Sequence, residues 1–287
     1  MENRRSGWIN GLAGVVIFAG SLPATRAAVV DFDPLFLTGA RAVIAAVLAG
    51  ALLLGMGEKR PERRDIIPLI VTAAGVVVGF PLLTALALQS ISSARSIVFL
   101  GLLPFCTALF AVLRGGERPR SAFWLFSLAG AALVTGYALL NGGSGTLRGD
   151  GLMAAAVIVC GLGYAEGATL SRRLGGWQTI CQALLVALPL MLPVMLLTLP
   201  DSVSHVSVPA WIGLGYVSAF SMLIGFIFWY RGLAQGGIAV VGQLQLLQPF
   251  IALGLASLLL HEQVNWGMVA VSLGAVLCVA GARRFAR

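Results

Sequence analysis

Charged residues are scarce in this sequence. Only 10% of its 287 residues are Asp, Glu, Lys or Arg, whereas 59% are hydrophobic. A soluble protein carries charge on about a quarter of its residues, and no hydrophilic stretch here is long enough to form a soluble domain. Apolar runs of about 20 residues, the length that crosses a bilayer as a helix, recur from end to end. The sequence therefore predicts an all-α polytopic membrane protein.

The sequence also lacks the motifs of metal sites, of membrane-embedded enzymes and of ATP-driven pumps. Its four cysteines lie in apolar runs without C-x-x-C or Cys/His ligand spacing, so we expect neither a disulfide nor a metal. There is no H-E-x-x-H, no G-x-S-x-G and no aspartate well inside an apolar run, which makes a membrane enzyme the weaker alternative. The sequence contains no G-x-x-x-x-G-K-[ST] loop, which is the motif that binds the phosphates of a nucleotide. We therefore expect no cofactor.

Positive charges gather on one side of the predicted membrane. The sequence predicts ten membrane spans, at roughly residues 8–29, 35–56, 66–88, 94–113, 121–140, 150–171, 177–199, 209–233, 238–260 and 265–282. Both termini and the loops after even-numbered spans carry 15 Lys and Arg, whereas the other loops carry only Arg148. Because Lys and Arg collect on the cytoplasmic side, both termini are expected there. These cytoplasmic Lys and Arg residues account for the net charge of +8, which therefore does not indicate binding of nucleic acid. The expected partners are the lipid bilayer and a small-molecule substrate.

One layout occurs twice in the chain, at a constant offset of 145 positions. The matching pairs are Pro104 with Pro249, Phe105 with Phe250, Glu117 with Glu262, and Gly136 with Gly281. Each half holds five predicted spans, and an odd number turns the second half upside down relative to the first. We therefore predict two inverted repeats, residues 1–145 and 146–287, with a central path at their interface, an architecture typical of transporters.

This layout resembles the EamA-type repeat of the drug/metabolite transporter superfamily. Small residues at Ala94 and at Ala239 are each followed by apolar residues, Pro-Phe, a further apolar stretch, Glu and a Gly-rich helix. The resemblance covers essentially the whole chain. It implies ten helices around a central cavity and export of amino acids, aromatic or neutral ones included, or related metabolites across the bacterial inner membrane by alternating access. Efflux of cationic drugs by the same fold is the alternative.

The paired prolines are candidate hinges. A proline inside a helix removes a backbone hydrogen bond and leaves a carbonyl free. Corresponding interruptions in two halves point to the binding site of a transporter. We therefore predict that Pro104 and Pro249 line the cavity and mark where two helices bend near mid-membrane. A simple packing kink is the alternative.

Two sets of side chains are candidates to line the cavity. Gln245 and Gln248 lie three residues apart and share a helix face, where they either bind a polar substrate or hold two helices together. The resemblance places the first, third, fourth, sixth and eighth spans around the path. The aromatic candidates on these spans are Phe18, Phe80, Phe99, Tyr164, Trp229 and Tyr230. Aromatic walls suit apolar or aromatic substrates, and a position facing lipid is the alternative.

Charged residues within the predicted spans are candidate ligands by default. Arg41 and Glu166 are the ones we single out, for substrate or proton binding. Snorkelling to the membrane surface is the alternative for the arginine, and pairing with Arg172 or Arg173 is the alternative for the glutamate. Glu117 and Glu262 lie at span ends, where a structural role beside a helix N-terminus is expected.

Glycine recurs every seven residues along the tenth span, at Gly267, Gly274 and Gly281. Such a strip allows close contact between helices. It predicts either a scaffold contact within the chain or a homodimer through the tenth helix.

Overall fold

The structure, a computed structural model, describes residues 2–58, 60–91, 96, 99–141, 146–200, 202, 204–251 and 266–285. These residues form helices and short connections, and they include no strand. The helices are α1 (Glu2–Ala19 and Ser21–Ala28), α2 (Pro34–Gly55), α3 (Arg63–Leu88), α4 (Leu103–Leu113), α5 (Ser121–Asn141), α6 (Leu147–Leu174), α7 (Gly176–Leu197), α8 (Val208–Gly236), α9 (Ile238–Ile251) and α10 (Trp266–Arg284).

Six of the described helices, α1, α2, α3, α6, α7 and α8, are long and apolar enough to cross a membrane. α4 and α9 are shorter apolar helices, as is the segment Ser121–Tyr137 of α5. Parts of the predicted spans 94–113 and 238–260 lie outside the described residues. The prediction of an all-α polytopic protein is therefore confirmed, whereas the number of spans and their inverted arrangement stay predictions.

The sequence sets several helix ends by local chemistry. α2 starts at Pro34, whose missing N–H costs nothing in a first turn, and the Asp33 carboxylate accepts from the backbone N–H of Leu35 at 2.8 Å. α6 ends and α7 begins at Gly175, with φ of +99°, and Gly237 separates α8 from α9 with φ of +98°. Because L-residues with side chains rarely adopt such a φ, single glycines can make these tight connections.

Glycines also let α1 and α8 approach each other closely. A Cβ built on Gly7 would lie 2.5 Å from the backbone N of Gly236, and one on Gly232 would lie 2.5 Å from that of Gly11. Contacts of small residues are the usual way for membrane helices to pack, because lipid gives no hydrophobic drive between them. The first and eighth helices therefore form one tightly packed antiparallel pair.

Two helices contain π-helical turns at related positions. Ala73–Gly79 within α3 and Tyr216–Gly225 within α8 are both wound in this wider form. Their ends lie 143 and 146 positions apart, close to the offset of the sequence repeat. π-Turns often occur at functional sites, and nothing in the sequence pattern predicted them.

The paired prolines lie directly after interruptions of the α-helical winding. Pro104 is in the first turn of α4, directly after a turn at Gly101 and Leu102. Pro249 follows the 3₁₀ segment Gln243–Leu247, and the carbonyl of Gln245 accepts the backbone N–H of Gln248. The carbonyl that Pro249 leaves without an α-helical bond is therefore not free, contrary to the prediction. The α-helical winding is interrupted before each proline, by the turn before Pro104 and by the 3₁₀ segment before Pro249, instead of being kinked at the proline itself.

The glycine strip of α10 contacts α5 of the same chain. A Cβ on Gly274 would lie 2.6 Å from the Leu133 side chain, and one on Gly281 would lie 2.4 Å from the ring of Phe126. These two positions match the scaffold alternative. A homodimer through the tenth helix stays a prediction.

Candidate functional site

A cavity of about 40 Å³ lies among α1, α2, α3, α4, α6, α8 and α9. It is lined by Phe18, Ser21, Leu22, Thr25, Arg41, Val76, Phe80, Pro81, Thr84, Leu100, Leu103, Tyr164, Ser221, Phe226 and Gln248. α3 and α8 reach the cavity at or just beyond their π-helical turns, with Val76 and Phe80 from one and Ser221 and Phe226 from the other. The volume holds a few water molecules, so a larger ligand requires the walls to move apart.

Aromatic rings from three helices form one wall of this cavity. The ring centroids of Phe18 and Phe226 lie 5.0 Å apart, and that of Tyr164 lies 5.9 Å from Phe226. Trp229 is fully buried behind them, 5.4 Å from Tyr164 and 6.1 Å from Phe18. These edge-on contacts are the favoured geometry of aromatic pairs. The wall is therefore a packed aromatic cluster that presents three ring faces or edges to the cavity.

The predicted aromatic residues fall into two groups. Phe18, Phe80 and Tyr164 line the cavity. Trp229 and Tyr230 are fully buried, and the Tyr230 hydroxyl donates to the Gly163 carbonyl at 3.1 Å. These two residues form a second layer and do not line the cavity. Phe99 packs against the hydrophobic core and is likewise absent from the lining. Sequence reasoning missed Phe226, although its position three residues before Trp229 places both on one face of α8.

The glutamines of α9 have three different surroundings. Gln248 lines the cavity, and its Nε2 donates to the Phe18 carbonyl at 3.3 Å. Gln245 is buried beside Tyr164, and its amide lacks a well-formed hydrogen bond with the described residues. Gln243 donates to the carbonyl of Pro104 at 3.4 Å and so joins α9 to α4. The predicted pair is thus divided between the cavity and the layer behind it, and Gln243 takes the helix-joining role.

Arg41 is the one charged residue among the described residues that line the cavity. Its side chain enters from α2 and is only 7% exposed. Its Nε has no hydrogen-bond partner among the described residues, and neither does the hydroxyl of Thr84 in the same cavity. Both groups are hydrogen-bond donors on residues that line the cavity, and neither has an acceptor among the described residues.

Glu166 does not line the cavity, because it is held by Arg114. Its carboxylate accepts from Nε of Arg114 at 2.8 Å and from the terminal guanidinium nitrogen at 3.2 Å. The predicted pairing with Arg172 or Arg173 is wrong. Arg172 pairs with Glu117 at 2.6 Å, and Arg173 pairs with Asp65. Both alternative partners are therefore already occupied by other carboxylates.

Glu117 lies beside a helix N-terminus, as its structural role requires, but the helix is α9 instead of the adjacent α5. Its two carboxylate oxygens accept from the backbone N–H groups of Ile238 at 2.7 Å and Ala239 at 2.8 Å. A carboxylate satisfies the free N–H groups of a first turn and the positive end of the helix dipole. Its sequence counterpart Glu262 lies outside the described residues.

A second, wider cavity of about 630 Å³ opens at the end of the molecule that carries both termini. We call it the terminal vestibule. It is lined by Trp8, Glu117, Arg118, Arg172, Ala234, Gln235, Gly236, Gly237, Val240, Arg283 and Arg284. The guanidinium of Arg283 lies 4.6 Å from the ring centroid of Trp8, a cation–π contact. Four arginines and one glutamate make this opening strongly positive.

Comparison with known proteins assigns the chain to a family. The sequence model of the "EamA-like transporter family" matches residues 5–141 and again residues 147–283. The "Uncharacterized transporter YdeK" of Bacillus subtilis (strain 168) is 64% identical over 287 residues, 100% of both chains. The "Probable terminal-alkyne amino-acid exporter" of Streptantibioticus cattleyicolor is 23% identical over 251 residues, which are 86% of this chain and 83% of that protein.

A solved structure described as "Crystal structure of protein" superposes with a TM-score of 0.78 and covers 97% of this chain and 98% of its own. Its sequence identity is 18%, so this likeness concerns the fold alone. The two family matches span nearly the whole chain, and the relative from Bacillus subtilis is a transporter aligned along its full length. The resemblance to the drug/metabolite transporter superfamily is therefore confirmed, and the protein is a transporter. The chain belongs to the EamA-like transporter family.

Proposed function

We propose that this protein is a secondary transporter that exports amino acids or related small metabolites from the cytoplasm by alternating access. The observation that carries the proposal is the central cavity, where aromatic rings and a few polar side chains converge from six helices. Sites for small molecules are mostly apolar, with few polar groups to fix orientation. The relative from Streptantibioticus cattleyicolor, described as an amino-acid exporter, supports this class of substrate.

The architecture that we propose for this cycle is ten spans in two inverted repeats, residues 1–145 and 146–287. Two separate family matches support the division. The π-helical turns in α3 and α8, 143 to 146 positions apart and both beside the cavity, support the equivalence of the two halves. In transporters with inverted repeats, one half rocks against the other around a site near the midplane.

We further propose that the protein resides in the bacterial inner membrane with both termini in the cytoplasm. The distribution of Lys and Arg supports this orientation. Three ion pairs at the terminal end, Asp65–Arg173, Arg114–Glu166 and Glu117–Arg172, join residues 5–141 to residues 147–283. Because the cavity is too small for an amino acid, we take this arrangement as a state closed on the cytoplasmic side.

The geometry favours this proposal over the alternative, export of cationic drugs. A cation would be attracted by a buried negative charge, but the Glu166 carboxylate is bound by Arg114 outside the cavity. The charge that does line the cavity, Arg41, is positive. A cation would meet repulsion there, whereas an amino acid carries a carboxylate of the opposite sign.

Counterflow in liposomes tests the proposed function. Purified protein is reconstituted into vesicles loaded with one unlabelled amino acid, and uptake of the same labelled amino acid is measured for phenylalanine, leucine, lysine and glutamate. We expect neutral or aromatic amino acids to accumulate above empty vesicles and ethidium not to exchange. Exchange of ethidium alone would contradict the proposal.

A matched pair of variants connects any transport to the cavity. Phe80→Ala removes an aromatic ring that lines it, whereas Phe220→Ala removes a ring on α8 that is 49% exposed. We expect the first to reduce phenylalanine exchange severalfold and the second to leave it near the wild-type rate.

A further inference from the structure

The cavity contains a buried positive charge, and no ion-pair partner for it lies among the described residues. Arg41 is only 7% exposed. In the described part of the chain, its Nε has no hydrogen-bond partner and no acidic side chain shares the cavity lining with it. A charge inside a membrane protein is costly unless an opposite charge, a carbonyl or water compensates for it. The structure therefore leaves one positive site open on the substrate path.

Two more exposed arginines of the chain differ from Arg41, because each has a partner in the protein. Arg26, also within the predicted first span, donates to the Leu88 carbonyl at 2.5 Å. Arg114 is paired with Glu166 through two hydrogen bonds. These arginines have structural partners in the protein, whereas Arg41 faces a cavity.

The groups that line the cavity together with Arg41 fit a carboxylate. The planar guanidinium matches the two oxygens of a carboxylate better than any other side chain. Thr84 adds a hydroxyl that is 4% exposed and has no hydrogen-bond partner among the described residues. Gln248 donates its Nε2 to the Phe18 carbonyl, which directs the amide nitrogen to the backbone and leaves the amide oxygen as an acceptor for an amino group.

The terminal vestibule carries the same sign of charge. Arg118, Arg172, Arg283 and Arg284 line it against Glu117 alone. On α1, Trp8 lines the vestibule and Phe18 is the first residue that lines the central cavity. These two residues are about 15 Å apart along the helix axis. A positive opening concentrates anions and repels cations. Two separate features of the structure therefore favour a substrate with an anionic group.

We infer that the central cavity binds its substrate through a carboxylate, with Arg41 as the anchor and Thr84 as a second donor. This inference rests on the proposed function, since it names the group by which an exported amino acid is held. It assigns the substrates to carboxylates of modest size with an apolar or aromatic remainder. Amines that lack a carboxylate are excluded.

Two matched ligand series test this inference on the purified, full-length protein. One is phenylalanine, 3-phenylpropionate and phenethylamine, and the other is leucine, 4-methylpentanoate and isopentylamine. The thermal stability of the protein in detergent is measured with each ligand, and counterflow is then measured in liposomes. We expect the carboxylates of at least one series to raise the melting temperature and the corresponding amine to leave it unchanged.

Variants of Arg41 connect the selectivity to one side chain. Arg41→Gln should lower kcat/KM for the best amino acid at least tenfold and abolish stabilisation by the carboxylate without an amino group. Arg41→Lys should retain part of both, because the charge remains. Arg148→Gln, which removes an exposed arginine outside both cavities, should match the wild type.

The outcomes separate this inference from the proposed function. Stabilisation by carboxylates without transport of any amino acid supports the anchor and refutes the exporter. Transport of an amino acid with equal transport of its amine supports the exporter and overturns the anchor. Lack of stabilisation by every carboxylate, or an Arg41→Gln variant that behaves as the wild type, also overturns it. If Arg41→Gln does not fold, the comparison of ligands on the wild-type protein decides.

Discussion

At the scale of single residues, partners decide what a buried charge does. Arg41 and Glu166 were equal candidates in the sequence, since both are ionisable residues inside predicted spans. The structure separates them, because Glu166 is bound by Arg114 whereas Arg41 lines a cavity. Arg114 is 52 positions from Glu166, and no periodicity of one helix relates residues so far apart. The residues were predictable as candidates, but their roles depend on contacts between distant segments.

Glu166→Gln provides a prediction at this scale. The carboxylate is 8% exposed and Arg114 is 50% exposed, so removal of the charge breaks a partly buried ion pair outside the cavity. We expect a loss of about 1–3 kcal/mol in stability and no change in the pH dependence of transport. Thermal unfolding and transport between pH 6 and 8 measure the two effects.

A double-mutant cycle provides the control for this prediction. Arg114→Gln removes the other partner, and the double variant Arg114→Gln with Glu166→Gln should be no less stable than either single variant. Additive losses would mean that the pair makes no direct contribution. A pH dependence abolished in Glu166→Gln alone would restore the proton-binding role of this carboxylate.

At the scale of elements, the interruptions of the helices are concentrated around the cavity. The π-helical turns of α3 and α8 and the 3₁₀ segment of α9 contain or adjoin residues of the lining, and α4 begins beside it. The presence of helices was predictable, because runs of apolar residues have few other ways to satisfy their backbone in lipid. The winding of α3 and α8 was not, since a π-turn depends on packing and leaves no signature in an apolar run.

The prolines illustrate how far sequence reasoning reached at this scale. Their equivalence and their association with helix interruptions followed from the offset of 145 residues. Their exact setting did not, because a proline is equally compatible with a kink and with a first turn. The structure places Pro104 in the first turn of α4 and Pro249 just after the 3₁₀ segment within α9. We therefore propose that the breaks that precede them, instead of kinks, are the hinges of α4 and α9.

Alanine at either proline tests the hinge proposal. The new backbone N–H allows the α-helix to extend across the preceding break, and alanine favours this extension. We expect transport to fall severalfold in Pro104→Ala and in Pro249→Ala while folded yield is retained. Pro193→Ala, in α7 away from the cavity lining, is the matched control. Wild-type transport rates in both hinge variants would reduce these prolines to packing features.

At the scale of the whole molecule, the two ends are held together by different contacts. At the terminal end, three ion pairs join residues 5–141 to residues 147–283. At the opposite end, the Asp31 carboxylate accepts from the hydroxyl of Ser207 at 2.5 Å and from its backbone N–H at 2.9 Å. These hydrogen bonds lower the pKa of Asp31, so the contact persists at neutral pH and is lost only as pH falls through that lowered value.

This difference predicts which end opens when charges are changed. In the proposed cycle of alternating access, the three ion pairs at the terminal end must break when the cavity opens at that end. Arg114 and Glu166 form the most suitable pair to alter, because neither side chain makes a further hydrogen bond in the described part of the chain. Arg114→Glu places two carboxylates side by side and should shift the population toward the state open at that end. A change of about 1 kcal/mol alters such a population about fivefold.

Accessibility of a cysteine at Ser221, which lines the cavity, measures the shift. The variants are made in a background without the four native cysteines and labelled with an impermeant reagent in membrane vesicles of each orientation. We expect Arg114→Glu to increase labelling from the side of the termini about fivefold. The charge-swapped variant, Arg114→Glu with Glu166→Arg, should return labelling toward the wild-type value because the pair re-forms.

Arg148→Glu is the control, since it changes an exposed charge outside both cavities. Equal labelling in the single and swapped variants would show that this ion pair does not hold the terminal end closed.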